Sequence, residues 1–161
     1  MQTEIYTSGV YGSTADSFFK KITDNKIDTF VDIRRRRAVR GSQYAFANSN
    51  RLQLKLKELG ITYIHIEDLS PTAEIIEMQK KFDKETGTSQ TKREHLSDKF
   101  ISEYKKTILD KYDFTWILDQ FKELNSKRAL LFCVEANAAA CHRSMVADKL
   151  NKIGGFRIKH I

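Results

Sequence analysis

The strongest constraint on how this chain can fold is the alternation of two hydrophobic periods along it. Short runs rich in β-branched and aromatic residues, "EIYTS", "DTFVDI", "ITYIHI", "RALLFCV" and "FRIKHI", read as strands. Between them lie longer segments whose apolar residues recur every three or four positions. Phe18, Phe19 and Ile22 make one such face behind a Ser13 or Thr14 cap, with Asp16 in the first turn. Leu52, Leu56 and Leu59 make a second, begun at Ser49 or Asn50 and stopped by Gly60. A third starts at Cys141 and ends at Gly154-Gly155. "DTFVDI" is apolar enough to be buried on both faces. The order is strand, helix, strand, helix, strand, a helical insertion over about 73–125, then strand, helix, strand. This predicts an α/β fold: a single three-layer domain over residues 1–161, with a mainly parallel sheet of about five strands and helices on both faces.

Within the insertion, a short helix is expected near 73–82, then a flexible stretch, "DKETGTSQTKRE". A helix capped by Ser97 or Asp98 follows, carrying Phe100, Ile101, Tyr104 and Ile108, and another carries Ile117, Phe121 and Leu124. The sole proline, Pro71, sits in a turn where it breaks nothing.

In open α/β sheets, ligands bind beyond the carboxyl ends of the strands. After the first strand come Thr7, Ser8 and Gly9. The second ends in Asp32 and Arg34, followed by Arg35, Arg36, Arg37 and Arg40. His65, Glu67 and Asp68 end the third. Cys133 and Glu135 end the fourth, leading to Cys141, His142, Arg143 and Ser144. The predicted topology brings all of these to one rim.

Planar guanidinium forks suit phosphate or carboxylate, and five arginines in seven positions exceed what one small phosphate needs. Nucleic acid or a polyphosphate would use them better. The excess of 28 Lys+Arg over 21 Asp+Glu, a net +7, points to anionic partners in the same way. A plain solvated loop is the bland alternative. Tyr44 and Phe46 can stack on a base, although pinning the loop to the core is the commoner role. Asp32, beside the arginines, orients Arg34, the favoured role, or else serves as a base or holds a metal.

Both cysteines lie in "CVEANAAACHRS". Two thiols are too few for a disulfide framework. Cys133 ends an apolar strand, where a free cysteine ordinarily packs. Cys141, His142 and Arg143 fall at the start of a helix, whose free N–H groups favour an anion and lower a thiol pKa. The spacing departs from the phosphate loop of protein tyrosine phosphatases: Ala139 stands six residues after Cys133, and Arg143 ten. Zinc held by Cys133, Cys141, His142 and Glu135 is the other possibility. However, adjacent Cys-His with a seven-residue gap does not match standard zinc spacing, so no metal site is expected, and the residues leave the cofactor unassigned.

"IYTSGVYGS", "FVDIRRRR…RGSQYAFAN", "ITYIHIEDLSPT" and "LLFCVEANAAACHRSMVADKL" together resemble the widespread bacterial and archaeal family catalogued as domain of unknown function 488. The similarity runs over nearly the whole chain. The resemblance implies an α/β fold and a shared polar site at Asp32, Arg34, Arg40, Phe46, Cys133, Glu135, Cys141, His142 and Arg143. Two positions depart from the family pattern: Val10 stands where many members have histidine or tyrosine, and Arg37 where many have proline.

The expected function is an enzyme acting on a phosphate-bearing substrate, a nucleotide or nucleic acid. Glu135, Cys141, His142, Asp32 and Cys133 are its candidate catalytic residues. Arg34, Arg37, Arg40, Arg143, Ser144, Thr7 and Gly9 are its candidate anion-binding residues. A non-catalytic nucleic-acid-binding or regulatory module and a protein–protein adaptor are the alternatives. No apolar run reaches membrane-spanning length, and the first residues lack the build of a signal peptide, so a cytoplasmic protein with no membrane partner is expected.

Overall fold

The computed structural model describes residues 2–161. Five parallel strands form one sheet: β1 (Glu4–Ser8), β2 (Thr29–Asp32), β3 (Thr62–His65), β4 (Arg128–Phe132) and β5 (Ile158–His160). Their spatial order is β3-β2-β4-β1-β5, so β4 fills the space between β1 and β2.

Side chains alternate across the sheet and divide the core in two. Tyr6, Phe30, Leu130 and Phe132 face α1 (Ala15–Asp24) and α2 (Ser49–Glu58), meeting Phe18, Ile22, Leu52 and Leu56. Ile5, Val31, Ala129, Leu131 and Cys133 face the opposite way. There they meet α3 (Ala73–Glu85), α4 (Asp98–Tyr104), α5 (Phe114–Glu123) and α6 (His142–Gly154). The three layers expected from the alternation are present.

Local chemistry explains the helix starts. Thr14 and Ser17 cap α1 reciprocally, and Ser97 accepts from the Phe100 N–H at the head of α4. The helix expected near 73–82 continues to Glu85, and α4 runs on through a π-turn over Lys105–Leu109. No helix among the described residues is long and apolar enough to cross a membrane.

Candidate functional site

The chain leaves β1 for α1 on one face of the sheet and leaves the adjacent β4 for α6 on the other. Such a divergence opens a crevice at the carboxyl end of the two strands. Here it is closed by backbone. The Val10 and Tyr11 N–H groups both donate to the Val134 carbonyl (3.0 and 3.1 Å). A Cβ on Gly9 would stand 1.9 Å from the Glu135 carbonyl oxygen. Only glycine permits this approach, so Gly9 fixes the level at which Glu135 leaves the sheet. Gly9→Ala should force the two loops apart and destabilise the protein by about 1–3 kcal/mol, read from chemical denaturation. A loss well below 1 kcal/mol would show that the loops separate freely.

Side-chain alternation divides the rim residues between the two faces. Asp32 lies on the α1/α2 side, fully buried, and is saturated. Its Oδ1 accepts from the Arg34 N–H (3.1 Å) and Nε (2.8 Å), and its Oδ2 from Arg34 Nη2 (2.7 Å) and the Tyr63 hydroxyl (2.8 Å). Arg34 Nη1 donates to the Ala47 carbonyl at 3.0 Å, and the guanidinium lies over the Phe132 ring. Burial holds Tyr63 up at about 12, so its hydroxyl stays a donor. Every polar atom of this pair is directed inward, which makes Asp32 and Arg34 a clasp between β2 and the 3-10 turn Ser42–Ala47. Tyr44 and Phe46 likewise pin the loop: Phe46 packs on Phe18, and the Tyr44 hydroxyl accepts from the Gly12 N–H.

The opposite face gathers Cys133, Glu135, Cys141 and His142. Cys133 continues the inward alternation of Ala129 and Leu131, which brings its thiol to the head of α6. Cys141 is the N-cap of that helix, with extended dihedrals (φ −137°, ψ 144°), whereas His142 is its first helical residue. The backbone bends between them, so two adjacent side chains meet at one point. His142 Nδ1 is 3.8 Å from Cys141 Sγ and 3.9 Å from Cys133 Sγ. All three donor atoms lie within 4.8 Å of one another. Glu135 Oε2 is 3.5 Å from Cys133 Sγ, and His142 Nε2 is 3.3 Å from the Ile33 carbonyl. The Tyr104 ring meets the imidazole edge-on, its hydroxyl donating to the Leu69 carbonyl.

Arg143 adds a buried cation. Nη1 donates to the Glu135 carbonyl (2.5 Å), Nη2 to the Ala136 carbonyl (3.2 Å) and Nε to Thr7 Oγ1 (3.4 Å). All three acceptors are neutral, leaving the charge to act on its surroundings. For Cys141, burial opposes ionisation, but Cys133, His142 and Arg143 outweigh it and hold the thiol well below its usual range. Cys133 is raised by its hydrogen bond with Cys141 and by burial. Burial, then the negative charge at Cys141, pushes Glu135 up to about 7. Burial disfavours the His142 cation, yet Cys141 and Glu135 raise its pKa overall.

The remaining expected residues are placed as follows. Thr7 bonds His160 Nδ1 at 2.6 Å, and Ser144 Oγ donates to the Cys141 carbonyl. Arg37 is half-buried, donating to the Tyr63 hydroxyl, while Arg35, Arg36 and Arg40 are exposed. The structure thus separates the arginines: Arg34 and Arg143 hold loops, Arg37 rests on Tyr63, and Arg35, Arg36 and Arg40 are exposed. The bend at Cys141 brings two sulfurs and one imidazole nitrogen within 4.8 Å of one another, a closeness that sequence spacing does not describe.

The segment between α3 and α4 covers the thiol face. Arg93 reaches both Asp83 (2.7 Å) and Glu135 (3.7 Å), Gln90 Nε2 donates to Glu135 Oε1, and the Leu96 N–H donates to the Ala139 carbonyl. Read as a flexible stretch, this segment offered no signal for Arg93, one arginine among many charges. An open cleft of about 730 Å³ lies elsewhere, beyond β3, between His65, Glu67 and Asp68 on one wall and Tyr112 and Trp116 on the other. Its acidic wall does not suit an anion.

A family model described as Domain of unknown function DUF488 matches residues 14–150, a span that includes both rim clusters but not Thr7 or Gly9. No curated protein and no solved structure matches the chain.

Proposed function

The chain belongs to the family Domain of unknown function DUF488, whose description states no activity, and from the site itself we propose an enzyme that acts on a phosphate-bearing substrate, a nucleotide or nucleic acid. The observation that carries this reading is the meeting of Cys133, Glu135, Cys141 and His142 in one buried contact group at the head of α6. Binding alone has no use for two thiols with a carboxyl beside them, whereas acid–base and nucleophilic chemistry can use all three. Glu135 is the acid–base group in this reading. The exposed Arg35, Arg36 and Arg40, with Arg37 behind them, form the edge that receives the anion. Arg34 anchors that edge at the Ala47 carbonyl, and Arg143 holds the 135–136 loop.

The same exposed run supports a second reading, a non-catalytic nucleic-acid-binding module. One set of measurements separates the two. Binding of short single- and double-stranded DNA and RNA is followed across a salt series for wild type and Arg36→Ala/Arg40→Ala. The slope of log affinity against log salt should fall by about 1 for each arginine that touches phosphate. Glu135→Gln should bind as wild type does and lose any turnover of nucleotides or oligonucleotides detected by mass spectrometry. Turnover that survives Glu135→Gln would remove the enzyme reading as stated. Binding that ignores salt and both arginines would remove the anion edge.

A further inference from the structure

From the placement of Cys133, Cys141 and His142 we infer a metal site: three protein donors that bind one zinc ion, with a fourth position open toward Glu135. For the ion, the inference stands on the donor geometry; it rests on the proposed function only for the substrate.

Geometry is the first support. With Zn–S near 2.3 Å and Zn–N near 2.0–2.1 Å, a tetrahedral site sets its sulfur and nitrogen donors about 3.6 Å apart. The two sulfur-to-Nδ1 distances are 3.8 and 3.9 Å. Contraction by a few tenths of an ångström, through side-chain torsions, would bring both sulfur-to-nitrogen pairs into range, and the two sulfurs, within 4.8 Å of each other, would close to about 3.8 Å. Second, the tautomer is prepared. The Ile33 carbonyl can only accept a hydrogen bond, so it fixes a proton on His142 Nε2 (3.3 Å) and makes Nδ1, which faces both sulfurs, the atom that a metal takes in exchange for any proton there. A carbonyl behind the ring is the usual partner of a metal-binding histidine. Third, the charge balances: two thiolates cancel the two positive charges of the ion, so the three-donor site is neutral once zinc is bound.

Donor type selects the ion. Two thiolates with one imidazole favour zinc over magnesium or calcium, which take oxygen ligands. The count selects the role. Structural zinc sites close with four protein ligands, whereas sites with three keep a position for water. The Glu135 carboxylate lies 3.5 Å from Cys133 Sγ yet outside the three-donor group, beside the donors rather than among them. The reaction class implied is hydrolysis. With zinc in place, a water at that position would give one proton to Glu135, and its hydroxide would bond to the substrate phosphorus as the phosphorus–oxygen bond to the leaving group breaks. The carboxyl would return the proton to that departing oxygen.

The test uses the full chain, stripped with chelator, then given zinc or cobalt(II) alone. About one equivalent of zinc should be retained after dialysis, and cobalt should give thiolate charge-transfer absorption with tetrahedral ligand-field bands. Cys133→Ser and Cys141→Ser should each lose the charge-transfer band or at least tenfold in zinc affinity. Glu135→Gln and Arg36→Ala/Arg40→Ala should keep the stoichiometry. Should the serine variants fail to fold, wild-type thiol labelling in denaturant after zinc loading decides the matter: slowed labelling supports the site and unchanged labelling counts against it. A folded wild type that retains no zinc, or serine variants that retain it as well as wild type, would overturn the inference. Zinc bound without any anion binding would sink the proposed substrate and keep the metal. Loop-dependent anion binding without zinc would do the reverse.

Discussion

Asp32→Ala lowers the stability of the protein by about 3–5 kcal/mol, the cost of leaving a buried charge without its partner. Arg34 is 3 % exposed, and after the change its guanidinium keeps only the Ala47 carbonyl and the Phe132 ring. Tyr63 loses the acceptor of its hydroxyl at the same time. Denaturant midpoints with unchanged slopes would measure the loss. Because the penalty comes from the orphaned cation, Asp32→Ala/Arg34→Met should recover part of it, an outcome that independent contributions cannot produce. A loss below about 1 kcal/mol in the single variant would show that Asp32 is spare for chemistry rather than committed to the clasp.

The second large effect concerns Arg143→Met, which preserves length and apolar stem but removes the fork. Glu135 and Ala136 then lose the donors to their carbonyls, at roughly 1–3 kcal/mol for each group left unsatisfied, so a total on the order of 3 kcal/mol is expected. Arg143→Lys should not restore it, because one ammonium cannot span both carbonyls and Thr7 in the geometry of the fork. The checks are thermal and chemical unfolding of the three proteins side by side. A lysine variant as stable as wild type would mean that charge, and not the fork, holds the 135–136 loop.

Much of this was legible in the residues, and the reasons are specific. The strands could be read because each is a short apolar run bounded by turn or cap residues, and their parallel pairing follows from the helices between them. Convergence of Asp32, Glu135, Cys141, His142 and Arg143 at one edge followed from the topology. Two things were hidden. One was the division of that edge between faces, which depends on the parity of each residue within its strand and so on where pairing starts to the residue. Parity sends Asp32 and Cys133 to opposite layers. The other was the fate of the arginines. Arg34 and Arg36 look alike in "RRRR", yet one is sealed against Phe132 and the other faces water. The meeting of Cys141 with its own neighbour His142 depends on one pair of dihedrals at a helix cap, which spacing rules do not describe.

The position of β4 between β1 and β2 has a consequence for assembly. Glu4 pairs with Arg128 and Thr29 with Ala129, so neither of the two earlier strands next to β4 meets that partner until about a hundred further residues have been made. During synthesis, β2 and β3 can pair early, since they are joined through α2. The β1 strand must wait, its edge unsatisfied, until "RALLF" emerges and inserts. Contacts of such long range slow folding and lengthen the time for which strand edges stay open to other chains. Cys133, Glu135, Cys141 and His142 follow immediately on the inserting strand. The Cys133–Glu135–Cys141–His142 cluster is therefore built in the same late event that completes the sheet, and a nascent chain halted before β4 carries neither.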